Sequence, residues 1–167
     1  MPPRASLTSL AACVWMLTAC AGLTPTAPSP APGRAMPPSA QPLVHGARAA
    51  LEANSMIGAP YRYGGRSPGG FDCSGLVVYS YARAGVPGLP HSAAALEERV
   101  RPVRLADLAP GDLLFFQLDG KKTSHVGIYV GDDSFVHAPS RGKRVERVAF
   151  DHVYWGPRVR IAGRLAP

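Results

Sequence analysis

Cysteine is scarce in this 167-residue chain: there are three, and only Cys73 follows the apolar stretch near the start, Cys13 lying inside that stretch and Cys20 at its end. A lone thiol beyond the leader excludes a disulfide framework there, so Cys73 is either packed away or present to react. Long hydrophobic runs are missing too. Residues 7–19 are almost wholly apolar after one positive charge at Arg4, a run too short to span a bilayer and laid out as a secretory signal. Acidic residues are outnumbered, and the net charge is +7. Arg4 and Arg34 precede residue 46, which leaves +5 for the rest. The arginines are scattered and build no nucleic-acid motif, and export argues against nucleic acid as a partner; a basic surface suits an anionic envelope instead. No internal repeat occurs.

The leader ends in Leu17-Thr18-Ala19-Cys20, which resembles the lipobox of bacterial lipoproteins. The resemblance implies a signal peptide over residues 1–19, lipidation at Cys20 and, in a diderm bacterium, a membrane anchor in the outer membrane facing the periplasm. Residues 20–45 carry prolines at 25, 28, 30, 32, 37, 38 and 42, which block backbone ladders and predict an extended tether at about 3 Å per residue. Residues 46–167 suffice for one domain with its own core, and a monomer is expected.

Within that domain the period changes. Residues 45–57 read as a helix stopped by Gly58-Ala59-Pro60, and residues 61–70 as a glycine-rich loop. Asp72 offers an N-cap to a central, buried helix over residues 73–84, closed by Gly85 and Pro87, and a shorter helix is expected over residues 92–100. Strands are then predicted at 112–117, 124–130, 134–138, 143–149 and 159–165. Helices followed by an antiparallel sheet imply an α+β domain with the helices segregated on one side.

Placement suggests chemistry. Cys73 opens its helix, where unpaired N–H groups and the dipole should favour the thiolate and lower the thiol pKa. A three-residue turn Gly131-Asp132-Asp133 would set Val130 against Ser134 and His137 against Gly127, so that His125 and His137 become diagonal neighbours on one face. His125 is then the base for the thiol proton and His137 the partner that fixes its tautomer, the logic of thiol acyl transfer. Taken singly, a strand histidine is more often a packed or surface residue, and His45, His91 and His152 are left in that class. A zinc site is the rival for one cysteine and two histidines, but the paired short spacing usual for zinc is missing. No metal or other cofactor is required.

Ala59-Pro60-Tyr61-Arg62-Tyr63-Gly64-Gly65, Phe71-Asp72-Cys73-Ser74-Gly75-Leu76-Val77, Leu108-Ala109-Pro110-Gly111-Asp112-Leu113-Leu114-Phe115-Phe116, Ser124-His125-Val126-Gly127-Ile128-Tyr129-Val130-Gly131 and Phe135-Val136-His137-Ala138 resemble, in order, the motifs of the NlpC-type cell-wall cysteine peptidases. The resemblance implies a papain-like fold, hydrolysis of amide bonds in peptidoglycan stem peptides, Cys73 as nucleophile, His125 as base and His137 as third polar residue. It also implies that Tyr61 lies beside the nucleophile near the oxyanion or substrate, and that Asp72 and Ser74 occupy positions that contact a substrate amine in some members; as residues, both are adequately explained as caps. The chain departs from the family at Pro90-His91-Ser92, where Arg is common at the middle position, and at Leu96, where glutamine is. Amide acyl transfer and a non-catalytic wall-binding lipoprotein remain the alternatives.

Overall fold

The computed structural model describes residues 40–118, 120 and 122–165; the expected signal peptide, the expected lipidation at Cys20 and the expected tether through residue 39 lie outside them. Helix α1 is Gln41–Ser55, with Pro42 in its first turn. Proline is tolerated there because the first N–H groups of a helix have no intrahelical partner, and its fixed φ suits the start. The helix therefore begins four residues before the expected position, inside the stretch assigned to the tether. Gly46, Ala49, Ala50 and Ala53 line its buried face, small enough to bring it close against α2, Cys73–Arg83.

Two short strands, β1 (Arg66–Ser67) and β2 (Gly70–Phe71), form a hairpin inside the segment expected to be loop. Helix α3 is only Ala93–Glu97. The chain then enters β3 (Val100–Pro102), a strand the sequence pattern did not predict. Strands β4 (Leu113–Phe116), β5 (His125–Gly131), β6 (Ser134–His137), β7 (Glu146–Ala149) and β8 (Val159–Leu165) follow, β7 starting three residues later than expected. They form one antiparallel sheet in the order β3-β8-β4-β5-β6-β7.

Alternation sorts the side chains onto two faces. Leu113, Phe115, Val126, Ile128 and Val136 join Leu76, Val77 and Phe71 in the core under the helices. Leu114, Phe116, Tyr129 and Phe135 point the other way, where Trp155 covers them. Each fully buried phenylalanine stabilises the fold by about 1.5–3 kcal/mol, and with four of them at 71, 115, 116 and 135 neither face is left open. The architecture is the expected α+β, papain-like arrangement.

The β5–β6 hairpin reaches its register differently from the expectation. Asp132 and Asp133 both have positive φ, 49° and 45°, the signature of a two-residue type I′ turn, and Gly131 rather than Val130 stands opposite Ser134. Continued without irregularity, that pairing would set His137 on the face opposite His125. A bulge between Tyr129 and Gly131 absorbs one residue, and beyond it Tyr129 faces Phe135 and Ile128 faces Val136. The parity needed to unite the two histidines is thereby restored.

Candidate active site

Asp72 builds the mouth of the site. Its extended backbone makes it the N-cap of α2, Oδ1 accepting from the Gly75 N–H at 2.7 Å and the Ser74 hydroxyl at 3.1 Å. Oδ2 accepts from the Gly64 N–H at 2.8 Å, which ties the glycine-rich loop to the helix start. The close approach depends on Gly75: a Cβ there would lie 1.9 Å from the Gly65 carbonyl oxygen, which itself accepts the Asp72 N–H. Hydrogen bonds with Gly75, His91 and Gly64 outweigh burial and hold the Asp72 carboxyl below its usual range.

This brings Cys73 to the base of a cavity of about 360 Å³ lined by Tyr61, Asp72, Ser74, His91 and Ser124. The backbone N–H groups of Val126 on β5, of Ser74 and of Cys73 itself favour the charged form of the thiol. The expected lowering of its pKa is nevertheless reversed. Burial is the largest influence and pushes the thiol up, with the Asp72 charge acting in the same direction. Burial likewise raises the Tyr61 phenol, and negative charge on Cys73 is the next cause, so the two groups are neighbours.

Val126 follows His125, whose side chain lies on the Trp155 face. His125 Nε2 and His137 Nδ1 are 2.8 Å apart, and the rings meet edge to face with centroids 5.0 Å apart. Gly127 stands between them as expected, and its missing Cβ leaves room for the Phe135 ring, 2.7 Å from where that atom would be, which packs on His137. Trp155 stacks on His125 and meets His137 edge-on at 4.5 Å. Burial depresses the His125 pKa to about 4. His137 is lowered further, by burial first and then by the charges of His125, Lys143 and His152. Both rings are therefore neutral at neutral pH. Among the described residues no hydrogen bond joins the thiol to the His125 ring, and no cluster of three or more potential metal ligands occurs.

Three residues near the site were not anticipated. His91 is no bystander, because its Nε2 lies 2.9 Å from Asp72 Oδ1. Trp155 encloses both histidines, its only signal being an aromatic pair ahead of Gly156-Pro157. Glu146 stands directly opposite His137 in the β6–β7 pairing, a position that no local pattern reveals. Leu96, the other family departure, is a core residue.

The family model described as NlpC/P60 matches residues 58–164, which include the start of α2, both histidines and all of the sheet but its last residue, Leu165. A probable endopeptidase of Mycobacterium tuberculosis is 45% identical over 132 residues, 73% of this chain and 33% of that protein. Murein DD-endopeptidase MepH of Escherichia coli is 40% identical over 103 residues, 59% of this chain and 38% of its own length. The chain thus spans about a third of the length of the curated relatives it matches. The crystal structure of the NlpC/p60 domain of the peptidoglycan hydrolase SagA superposes with a TM-score of 0.61 at 33% identity, covering 71% of this chain and 97% of that domain. By its motifs, its sheet and these matches, the chain belongs to the NlpC/P60 family.

Proposed function

We propose that the chain is a peptidoglycan endopeptidase that cleaves an amide bond of stem peptides by thiol acyl transfer. The observation that carries the reading is the 2.8 Å contact between the buried, neutral imidazoles of His125 on β5 and His137 on β6, with Cys73 at the start of the helix that packs against β5. His125 takes the thiol proton as sulfur adds to the scissile carbonyl, and the Cys73 N–H, with Tyr61 as second donor, stabilises the oxyanion. Collapse breaks the carbon–nitrogen bond, and His125 returns the proton to the leaving amine. Water, deprotonated by the same ring, then adds to the thioester and expels the sulfur, which recovers its proton. His137 orients His125, while Asp72 and Ser74 shape the groove floor.

Relatives named as endopeptidases of murein and peptidoglycan support that substrate. Two bonds fit it, the γ-D-glutamyl link to the diamino acid and the cross-link between stems. The string Leu17-Thr18-Ala19-Cys20 supports a lipid anchor in the outer membrane facing the periplasm. Incubating purified sacculi with the chain and identifying fragments by mass tests the activity and names the bond together; intact sacculi would overturn the reading. Cys20→Ser should release the protein from the membrane fraction, and a variant that still pellets after a salt wash would remove the anchor.

A further inference from the structure

The two histidines orient one another, but their contact does not by itself choose a tautomer. The 2.8 Å separation holds one proton, which either His125 Nε2 or His137 Nδ1 could carry. If His137 Nδ1 carries it, a neutral His125 keeps its own proton on Nδ1 and has no lone pair there for a thiol. If His125 Nε2 carries it, Nδ1 is free to act as base, and the neutral His137 must then carry its proton on Nε2.

His137 Nε2 is wholly buried and makes no hydrogen bond, and a buried donor without an acceptor costs about 1–3 kcal/mol. Glu146 Oε1 lies 3.4 Å from it, beyond ordinary hydrogen-bond length but at ion-pair range. Glu146 is also the cross-strand partner of His137, so its carboxylate is held beside that nitrogen by the sheet. A carboxylate only accepts: it attracts an N–H at Nε2 and repels a lone pair.

We infer that Glu146 is a positioning residue that holds His137 as its Nε2–H tautomer, so that His125 donates from Nε2 and keeps Nδ1 free as the base for Cys73. The last clause rests on the thiol-hydrolase reading; the tautomer does not. Lys143 and His152, which line the same cavity as Glu146, disfavour a charged His137. Glu146 therefore selects between neutral forms. Its side chain is 45% exposed, which screens the interaction and sets the scale of the expected effect.

The test uses the full chain labelled with ¹⁵N-histidine, with imidazole nitrogen shifts read in wild type, E146A and E146Q. Wild type should show a protonated Nε2 and a bare Nδ1 at His137; E146A should shift that balance towards Nδ1–H, and E146Q, whose amide oxygen still accepts, should resemble wild type. With sacculi as substrate, E146A should lose about tenfold in kcat with KM nearly unchanged, and E146Q should keep most of the rate. A wild-type proton on His137 Nδ1, identical tautomers in wild type and E146A, or an unchanged kcat in E146A would each overturn the assignment. If the tautomer shifts as expected while wild type leaves sacculi intact, the tautomer assignment stands and the hydrolase reading fails.

Discussion

At Cys73 two influences of opposite sign meet. The N–H groups of Cys73 and Ser74 at the helix start, and of Val126 on β5, favour the thiolate, but the sulfur is deep enough that desolvation outweighs them. His125, depressed to about 4, adds no positive charge in the resting protein. The pair therefore rests as thiol and imidazole, and the proton moves only as substrate arrives. Iodoacetamide alkylation of Cys73 should consequently keep accelerating above the ordinary thiol value of about 8.5; a plateau below pH 7 would show a resting thiolate–imidazolium pair instead. The same neutrality puts the acid limb of kcat/KM below about pH 5, where an unperturbed histidine would place it near 6.5. Cys73→Ala should release no muropeptides. His137→Asn, which keeps a hydrogen bond to His125, should retain more activity than His137→Ala, and equally dead variants would rule out orientation through that bond.

Between strands, the site hangs on a turn and a bulge that compensate one another. The sequence located His125 and His137 on one face through a three-residue turn, whereas the chain uses two residues of positive φ and then a bulge. Both routes yield the same far register, which is why that parity was legible although its cause was not; a bulge has no local residue signature here. Cys73 at a capped helix start was legible because capping is local: the Asp72 carboxylate accepts the N–H of Gly75, three residues on. Strand β3 and the Glu146–His137 pairing depend on partners distant in sequence, β8 for the first and a strand across the residue 138–145 connection for the second, and no period announces them. The turn itself gives a test of sign. Asp133 at φ 45° occupies a position glycine takes without strain, so Asp133→Gly should raise stability by about 0.5–1 kcal/mol. Asp133→Val, with a β-branched side chain in the left-handed region, should lower it by about 1–2 kcal/mol. Urea denaturation of the three proteins measures both, and stability falling in the order Val, Asp, Gly would mean the turn is not type I′.

Across the whole molecule, enclosing two neutral histidines makes folding a function of pH. In the unfolded chain each imidazole titrates near 6.5, while in the folded protein burial holds His125 at about 4 and His137 lower still. Below pH 6.5 the unfolded state therefore binds more protons than the folded one, and stability falls as pH falls. The loss approaches about 1.4 kcal/mol per pH unit for each histidine, on the order of 5 kcal/mol for the pair by about pH 4.5. Domains of this size are stabilised by only about 5–15 kcal/mol in all, so the acid side should be the weak one. Asp72 acts in the same direction but later, because its carboxyl is held below its usual range and its contribution is lost only as pH falls through that lower value. Between pH 6.5 and 4.5 the slope should thus belong to the histidines. Denaturation curves at pH 7, 6, 5 and 4.5 should show the midpoint dropping steadily, and a His125→Asn, His137→Asn double variant, weaker at pH 7 or not, should lose much less over that interval. A wild-type midpoint that stays level from pH 7 to 4.5 would mean that the folded protein accepts those protons, and that the two imidazoles are not held neutral beneath Trp155.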